Sequence, residues 1–146
     1  MKLSTRGRYG LRAMFELALS FEKGPILMKT IAENQDISHK YLHALLTSLK
    51  SAGLVRNIRG LGGGYLLTKP PSEIRISEVV GILEGSLSPV ECVRDKSLCK
   101  RADLCVARDV WCDLGETIEN MLSGLTLYDL IARMKKKEAE PQMYYI

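Results

Sequence analysis

Three of the four cysteines lie within fifteen residues, in the stretch ECVRDKSLCKRADLC at positions 91–105. They are Cys92, Cys99 and Cys105, separated by spacers of six and five residues, and Cys112 follows seven positions later. Thiols grouped in this way can ligate a metal, pair as disulfides or pack as small apolar side chains. Zinc sites usually contain cysteine pairs with about two to four residues between them. This stretch has no such pair, so its spacing disfavours zinc.

The start of the chain bears on the state of these thiols. The segment MKLSTRGRYG has basic residues but no apolar segment behind them, so it does not resemble a secretory signal. No apolar run approaches the roughly 18 residues of a membrane span. We therefore expect a cytoplasmic protein without a membrane partner. In that compartment, clustered cysteines bind metal or carry out redox chemistry more often than they form disulfides.

The charge of the chain is divided between its two halves. Residues 1–69 contain 11 Lys and Arg against 4 acids, a net charge of +7, whereas residues 70–146 have a net charge of −3. The composition, 46% hydrophobic and 26% charged, is that of one globular domain with appendages. Because concentrated positive charge attracts a polyanion, we predict that the first half faces one.

Three helices are predicted in the basic half. Apolar residues recur at helical spacing from Thr5 to Leu19, and a short helix is predicted over 28–33. After a polar break, Ser38 is a predicted N-cap. The apolar stripe that follows it ends at Gly53, which is suited to a C′ position with positive φ. Two short helices joined by a tight turn thus follow a first core helix.

A β-hairpin is predicted next, because LVRNIRGLGGGYLL alternates apolar and polar residues around a glycine-rich tip. The same glycines suggest a phosphate-binding loop, but such a loop ends in Gly-Lys-Ser/Thr and opens a helix, whereas Gly64 precedes Tyr-Leu-Leu. Pro70-Pro71 then coincides with the change in charge sign and marks a boundary. The predicted fold class is therefore mainly α with a small β-hairpin wing.

Beyond the boundary, the sequence predicts a short helix over 76–83, a cysteine-containing loop over 85–104 and a long amphipathic helix from Cys105 to about Leu122. A capping box at Thr126–Asp129 opens a final helix through Met134. Little sequence remains to cover the apolar stripe of the long helix, so a homodimer is predicted, with packing of this helix on its own N-terminal domain as the alternative. The predicted units are residues 1–69, 70–104, 105–137 and a tail over 138–146.

The order of helices and hairpin in the basic half is that of a winged helix-turn-helix, which binds double-stranded DNA. Its second short helix presents N-terminal side chains to the major groove. Here these are Ser38, His39, Lys40, Tyr41 and His43, although Tyr41 is equally suited to the core. A thiol enzyme is a weaker hypothesis, because neither histidine lies near the cysteines in sequence.

Further DNA contacts are predicted at the hairpin tip and near the N-terminus. Arg59 is suited to a narrow minor groove, while Gly60 and Gly62 allow the backbone to approach phosphate. Lys2, Arg6 and Arg8 are predicted phosphate contacts, which add affinity and salt dependence but no sequence information.

Four stretches, MKLSTRGRYGLRAM, KYLHALLTSLKSAGLV, RGLGGGYLL and ISEVVGILEG, resemble the bacterial winged-helix regulators that include IscR, NsrR and CymR. The similarity continues through the three clustered cysteines and WCDL at 111–114, so it covers nearly the whole chain. It implies a homodimeric transcriptional regulator whose long helices cross and whose paired wings straddle a palindromic promoter.

The resemblance also implies a cofactor. In the IscR and NsrR branches, three cysteines of this loop bind an iron–sulfur cluster, and by position these are Cys92, Cys99 and Cys105. Thiolates are the usual ligands of such clusters. A 2Fe–2S cluster is expected here, with 4Fe–4S as the alternative.

The fourth ligand departs from the family pattern. IscR-type proteins use a histidine three residues after the last cysteine, where this chain has Arg108, which does not deprotonate to bind iron. Arg8 occupies the position from which NsrR-type proteins supply an acid. Candidate replacements are Glu91, Asp103, Asp109 and an exogenous ligand. Cys112 lies about two turns from Cys105 on a continuous helix, so it is predicted to be a small buried residue, unless the helix begins after Cys105 or the ligand comes from the other subunit.

The tail implies a different partner. Its last four residues, MYYI at 143–146, resemble the end of CymR-type proteins. A C-terminal isoleucine, here Ile146, is how some partners enter the active site of O-acetylserine sulfhydrylase. The alternative function is therefore a cluster-free regulator of cysteine metabolism that is controlled by this enzyme.

Overall fold

The computed structural model describes residues 1–140, and over this range the fold is mainly α with one two-stranded hairpin, as predicted. Three helices precede the hairpin and four follow it. The elements are α1 (Thr5–Leu19), α2 (Met28–Gln35), α3 (His39–Ser51), β1 (Val55–Ile58), β2 (Gly64–Leu67), α4 (Ile76–Glu84), α5 (Glu91–Arg94), α6 (Val106–Ser123) and α7 (Leu127–Ala139).

Local signals set the ends of α3. The Ser38 hydroxyl accepts the backbone N–H of Tyr41 at 3.3 Å, which confirms the predicted N-cap. Gly53 has a φ of +82°, and the N–H of Leu54 donates to the carbonyl of Leu49 at 3.1 Å, so the predicted glycine C′ is confirmed. Between α2 and α3, Asp36 adopts the left-handed region with a φ of +52°. That residue makes the turn of the helix-turn-helix.

A single hydrophobic core lies between α1, α2, α3 and α4. The face of α3 that enters it consists of Leu42, Leu45, Leu46 and Leu49, all fully buried. A Cβ at Gly10 would lie 2.0 Å from Leu83 Cδ1, so α1 and α4 can approach this closely only because position 10 has no side chain. α7 closes the core with Leu127, whose N–H donates to the carbonyl of Ile74 at 3.0 Å.

The hairpin is an antiparallel wing in which Val55 pairs with Leu67 and Ile58 with Gly64. Its second strand is also bonded to the segment before α2. Ile26 and Tyr65 exchange two backbone hydrogen bonds, of 2.9 and 2.8 Å. These two bonds fix the wing to the segment before α2, so the wing is held by the helical core as well as by its own chain connections.

The second half differs from the prediction in three places. The predicted loop over 85–104 contains α5 and a 3-10 turn at Lys96–Leu98. Cys105 is the N-cap of α6 rather than its first residue. The final helix continues past Met134 to Ala139. Lys136 and Lys137 lie in its last turn, where positive charge stabilises the negative end of the helix dipole. The predicted capping box is confirmed, since Thr126 and Asp129 bond reciprocally.

Within residues 1–140, we find no helix with the length and apolar character needed to cross a membrane.

Candidate nucleic-acid interface and cysteine loop

The outer face of α3 is polar and exposed. Ser38, His39, Lys40 and His43 are all exposed, as are Ala44 and Thr47 further along. Tyr41 is the exception, because it is half-buried and its ring meets Tyr9 edge-on with centroids 5.9 Å apart. Its hydroxyl donates to Thr5 Oγ1 at 3.2 Å. The structure thus gives Tyr41 a role in anchoring α3 to α1, and leaves the other predicted contacts free on the surface.

The wing tip is exposed from Arg59 to Gly62. Gly60 and Gly62 have φ values of +98° and +74°, so both positions favour glycine. The N–H of Gly63 donates to the carbonyl of Gly60 at 3.0 Å and closes the turn. The side chain of Leu61, which sequence reasoning passed over, lies at this tip with no protein contact to cover it.

The three predicted phosphate contacts near the N-terminus do not lie together. Arg6 donates from Nη2 to Ser48 Oγ of α3 at 3.2 Å and from Nε to the carbonyl of Leu83 at 3.3 Å. Lys2 lines a cleft beside the C-terminal half of α6. Arg8 lines a groove between α1 and α7. Of the three, Arg6 is the one in contact with α3.

A buried polar network holds the turn between α2 and α3, and sequence reasoning missed it. Glu16 is only 8% exposed and accepts hydrogen bonds from Asn34 Nδ2 at 3.0 Å and Gln35 Nε2 at 2.7 Å. Arg12 donates from Nε to Gln35 Oε1 at 3.0 Å. The available signal was an arginine and a glutamate four residues apart on a core helix. Their partners, Asn34 and Gln35, are identified by the structure and not by the spacing of residues in the sequence.

The cysteine loop connects α4 to α6. Cys92 lies in α5, Cys99 ends the 3-10 turn and Cys105 caps α6. All four thiols are free and half-buried. Cys112 was predicted to be buried, but in the single chain it is half-buried, on a helix that has no buried residue.

Charged side chains tie the loop together. Arg108 donates from Nε to the carbonyl of Cys92 at 3.0 Å, which joins the first turns of α5 and α6. Lys96 forms an ion pair with Asp103, and Glu91 forms one with Arg94 at 2.5 Å. Glu91 and Asp103, two of the candidate fourth ligands, are thus engaged with cations.

Local hydrogen bonds and charges in the loop lower the pKa of two exposed carboxyl groups, those of Asp95 and Asp103. Hydrogen bonds from the Ser97 side chain and backbone hold the pKa of Asp95 below its ordinary value. The hydrogen bond and charge of Lys96 lower the pKa of Asp103 likewise. Both aspartates therefore stay ionised under conditions that begin to protonate a free aspartate.

The donor types of the loop fit an iron–sulfur cluster, since three free thiols are what such a group binds. Their arrangement is open, however. Within residues 1–140, no three His, Cys, Asp or Glu side chains are gathered closely enough to hold a metal ion. Cys92, Cys99 and Cys105 are therefore available as ligands but are not gathered at a site for a single metal ion.

The groove between α1 and α7 has an apolar floor and a basic rim, with a volume of about 710 Å³. Its floor is Leu11, Phe15, Leu130 and Met134, and its charged residues are Arg8, Arg12, Arg133, Lys137 and Glu138. The helix α6 has the opposite character. It contains four acids and one arginine, no buried residue, and an apolar face on which Val106 and Val110 are 80% and 57% exposed.

Comparison with known proteins decides the family. The Rrf2 family model, described as an iron-dependent transcriptional regulator, matches residues 3–133. The chain belongs to the Rrf2 family. It is 40% identical to the transcriptional regulator CymR of Bacillus subtilis over 146 residues, all of both chains. The solved structure of B. subtilis CymR, the global cysteine regulator, has a TM-score of 0.78 and 38% identity over 91% of this chain and 98% of that one. The structure of T. potens IscR also has a TM-score of 0.78, with 36% identity over 99% and 95%.

These likenesses confirm the predicted family and fold. The Rrf2 chain is a DNA-binding transcriptional regulator, and because its relatives are named as regulators, the thiol-enzyme hypothesis is set aside. IscR-like and CymR-like relatives are equally close, so family membership leaves open what the regulator senses.

Proposed function

We propose that this Rrf2 regulator binds a palindromic promoter as a homodimer and that its three-cysteine loop sets its affinity for DNA. The observation that carries the proposal is the position of Cys105, which ends the loop and caps α6. The state of the thiols is thereby connected directly to the helix that lacks a partner in the single chain.

The DNA interface consists of the outer face of α3 and the wing. His39, Lys40 and His43 are exposed at the N-terminal end of α3, which is the end that reads base edges in helix-turn-helix proteins. Between residues 37 and 72 the chain has five Lys or Arg and no acid, so nothing on this segment repels phosphate. Arg59 enters the minor groove, and Lys2 and Arg6 supply backbone contacts, whereas Arg8, predicted as a third such contact, lies in the groove between α1 and α7 instead.

The homodimer forms through α6. An 18-residue amphipathic helix without one buried residue has apolar area to cover, and a second copy of the chain offers a matching surface. The groove between α1 and α7 has four cations and one acid on its rim, whereas α6 has one cation and four acids. This complementarity favours seating the α6 of one subunit against the α1 and α7 of the other.

Cys92, Cys99 and Cys105 hold an iron–sulfur cluster in this proposal, 2Fe–2S in preference to 4Fe–4S. When bound, such a group supplies sensitivity to iron supply and to oxidants. For the loop to bring its thiols together, the Arg108 bond to the Cys92 carbonyl and the Lys96–Asp103 pair have to rearrange. Because Cys105 caps α6, that rearrangement alters how the chain enters the dimer helix. Two recognition helices must match half-sites about 34 Å apart, so a small change there alters DNA affinity.

Anaerobic purification with an absorption spectrum and iron and sulfide counts tests the cluster. We expect a coloured protein containing iron and sulfide, and loss of both in Cys99→Ala. The matched control is Cys112→Ala, which should keep the colour because Cys112 is outside the ligand set. A colourless wild-type protein with four free thiols and full DNA binding would refute the cluster.

A second function is favoured by the full-length similarity to CymR. In this version no cluster binds, and O-acetylserine sulfhydrylase engages the chain at Ile146 to control a regulator of cysteine metabolism. The tail at 141–146 lies outside the described residues. Deletion of residues 143–146 should then abolish binding to the sulfhydrylase in a pull-down with purified enzyme, while DNA binding persists. Unchanged enzyme binding would rule this function out.

A further inference from the structure

The glycine-rich part of the wing tip, residues 60–64, has a single side chain. Its sequence is Gly-Leu-Gly-Gly-Gly, so Leu61 is the only residue in this range with a Cβ. Its exposure is 108%, the highest of the large apolar residues in the described part of the chain. In the free protein this leucine covers no apolar surface and stabilises nothing. Turn positions are usually glycine or polar, so an apolar residue at this one calls for a burial partner outside the chain.

The turn that presents Leu61 is fixed. Gly62 is at its third position with a φ of +74°, as a type II turn requires, and the bond from Gly63 N–H to the Gly60 carbonyl closes it. A Cβ at Gly63 would lie 2.2 Å from the Ile58 oxygen, and one at Gly64 would lie 2.5 Å from the Ile26 oxygen. The base of the turn is thus packed backbone against backbone, whereas Gly60 and Gly62, on either side of Leu61, have open space around them. A side chain held on such a turn gives up little backbone freedom when it is buried in a complex.

The surroundings of Leu61 indicate a nucleic-acid partner. Arg56 and Arg59, on the same hairpin, are both exposed. No acid lies within twenty residues before Leu61 or within ten after it. An apolar protein surface would gain nothing from this concentration of positive charge, whereas a minor groove has a negative potential and, where a base step unstacks, exposes the apolar faces of its bases.

We propose that Leu61 inserts at a flexible base step in the minor groove and makes the regulator sensitive to DNA deformability. Leucine is one of the side chains that minor-groove proteins use as a wedge between base pairs. Pyrimidine–purine steps such as TA unstack most easily, whereas A-tracts are stiff and narrow. Arg59 and Leu61, two positions apart, then read different properties of the same site, groove potential and ease of unstacking. The inference rests on the proposed contact between the wing and the minor groove.

The test compares the wild type with Leu61→Ala, Arg59→Ala and Tyr128→Ala. Tyr128 is 56% exposed on α7, outside the proposed DNA interface and the cysteine loop, so its variant is a control for loss of an exposed large apolar side chain. A palindrome is first selected by the wild type from random duplexes. Two series of duplexes then differ only where the wings contact DNA, one with TA steps and one with A-tracts. Affinity is measured by fluorescence anisotropy across salt concentrations, and bending by energy transfer between end labels.

Leu61→Ala should lose about tenfold in affinity per wing on the TA series and little on the A-tract series. It should bend the TA duplexes less and keep the salt dependence of the wild type, because leucine is neutral. Arg59→Ala should show the opposite preference and lower the salt slope by about one per wing. Tyr128→Ala should match the wild type.

If Leu61→Ala binds and bends both series of duplexes as the wild type does, the inference is overturned. An equal loss of affinity on the two series would overturn it as well. Failure of the wild type to enrich any duplex would overturn the proposed function and this inference with it. If only Arg59→Ala loses affinity, the wing contacts the minor groove but Leu61 does not insert there, which overturns the inference and leaves the proposed function standing.

Discussion

The helix-turn-helix and α6 are stabilised in opposite ways. The four leucines of α3 are fully buried in the single chain, whereas α6, five residues longer, has no buried residue. Between Leu83 and Leu127, Ala102 is the only apolar residue that the described chain buries. The DNA-binding half is therefore complete within one chain. The segment that bears the cysteines buries almost no apolar side chain within one chain.

The two halves also differ in their polar contacts. Around the turn between α2 and α3, the carboxylate of Glu16 is buried and bonded to two side-chain amides. In the cysteine loop, the ion pair of Lys96 with Asp103 is exposed, with side chains 57% and 78% accessible. Buried hydrogen bonds are costly to break, whereas exposed ion pairs contribute little. One half is thus suited to a fixed shape and the other to rearrangement.

Loss of core packing should have the largest effect. Leu46→Ala removes a fully buried side chain and should lower the free energy of unfolding by about 2–5 kcal/mol. Val110→Ala, on the exposed face of α6, should cost less than about 0.5 kcal/mol at protein concentrations that favour monomer. Urea denaturation of both variants measures the contrast. Equal losses would mean that α6 belongs to the core of the single chain.

The dimer should be nearly as sensitive to a charge on α6. Val110→Asp places an unpaired carboxylate in the proposed interface and should raise the dimer dissociation constant by about 100-fold, which is about 2.7 kcal/mol. Leu27→Asp is the control, because Leu27 is similarly exposed, at 59%, but lies at the N-cap of α2. Sedimentation equilibrium gives both constants. A Val110→Asp protein that dimerises normally would place the interface on another surface.

The buried network should matter less than the core. Glu16→Gln replaces one of the two carboxylate oxygens with N–H₂, so one of the donors of Asn34 and Gln35 loses its acceptor. We expect a loss of about 1–2 kcal/mol in stability and weaker DNA binding. Glu33→Gln, which removes an exposed pair with Lys29 of 3.9 Å, should change stability by less than about 0.5 kcal/mol. Thermal melts and anisotropy supply the two measurements. Identical behaviour of the two variants would show that the network does not position the turn.

The smallest effect concerns pH and the cysteine loop. The pKa values of Asp95 and Asp103 are lowered in the folded loop, so their contribution is present above the ordinary aspartate range and is lost as pH falls through the lowered values. The protection factor of the Ser97 amide, which is its exchange rate relative to the unprotected rate at the same pH, should therefore fall only in acid below that range, while α3 remains protected. Asp95→Asn should remove this dependence. A transition near neutral pH would assign it to other groups.

Sequence predicted the fold where its signals are contiguous. Ser38 and Gly53 bracket α3, and Thr126 with Asp129 opens α7, because each signal acts on backbone within a few residues. Contacts between distant residues were not predictable. The bond from Arg108 to the Cys92 carbonyl joins positions 16 apart, and Tyr41 meets Tyr9 from another helix. Cys112 is half-buried rather than buried, an outcome that the spacing of the cysteines alone did not predict.

DNA affinity of the wild type before and after removal of bound iron with a chelator, under anaerobic conditions, tests the proposed sensing most directly. Cys99→Ala is the control for effects of the chelator itself. We predict that the wild-type dissociation constant changes by about tenfold, within the usual range of coupling between two sites, and that the Cys99→Ala constant does not change. An unchanged wild-type affinity, with iron shown to be present before and absent after treatment, would contradict the account.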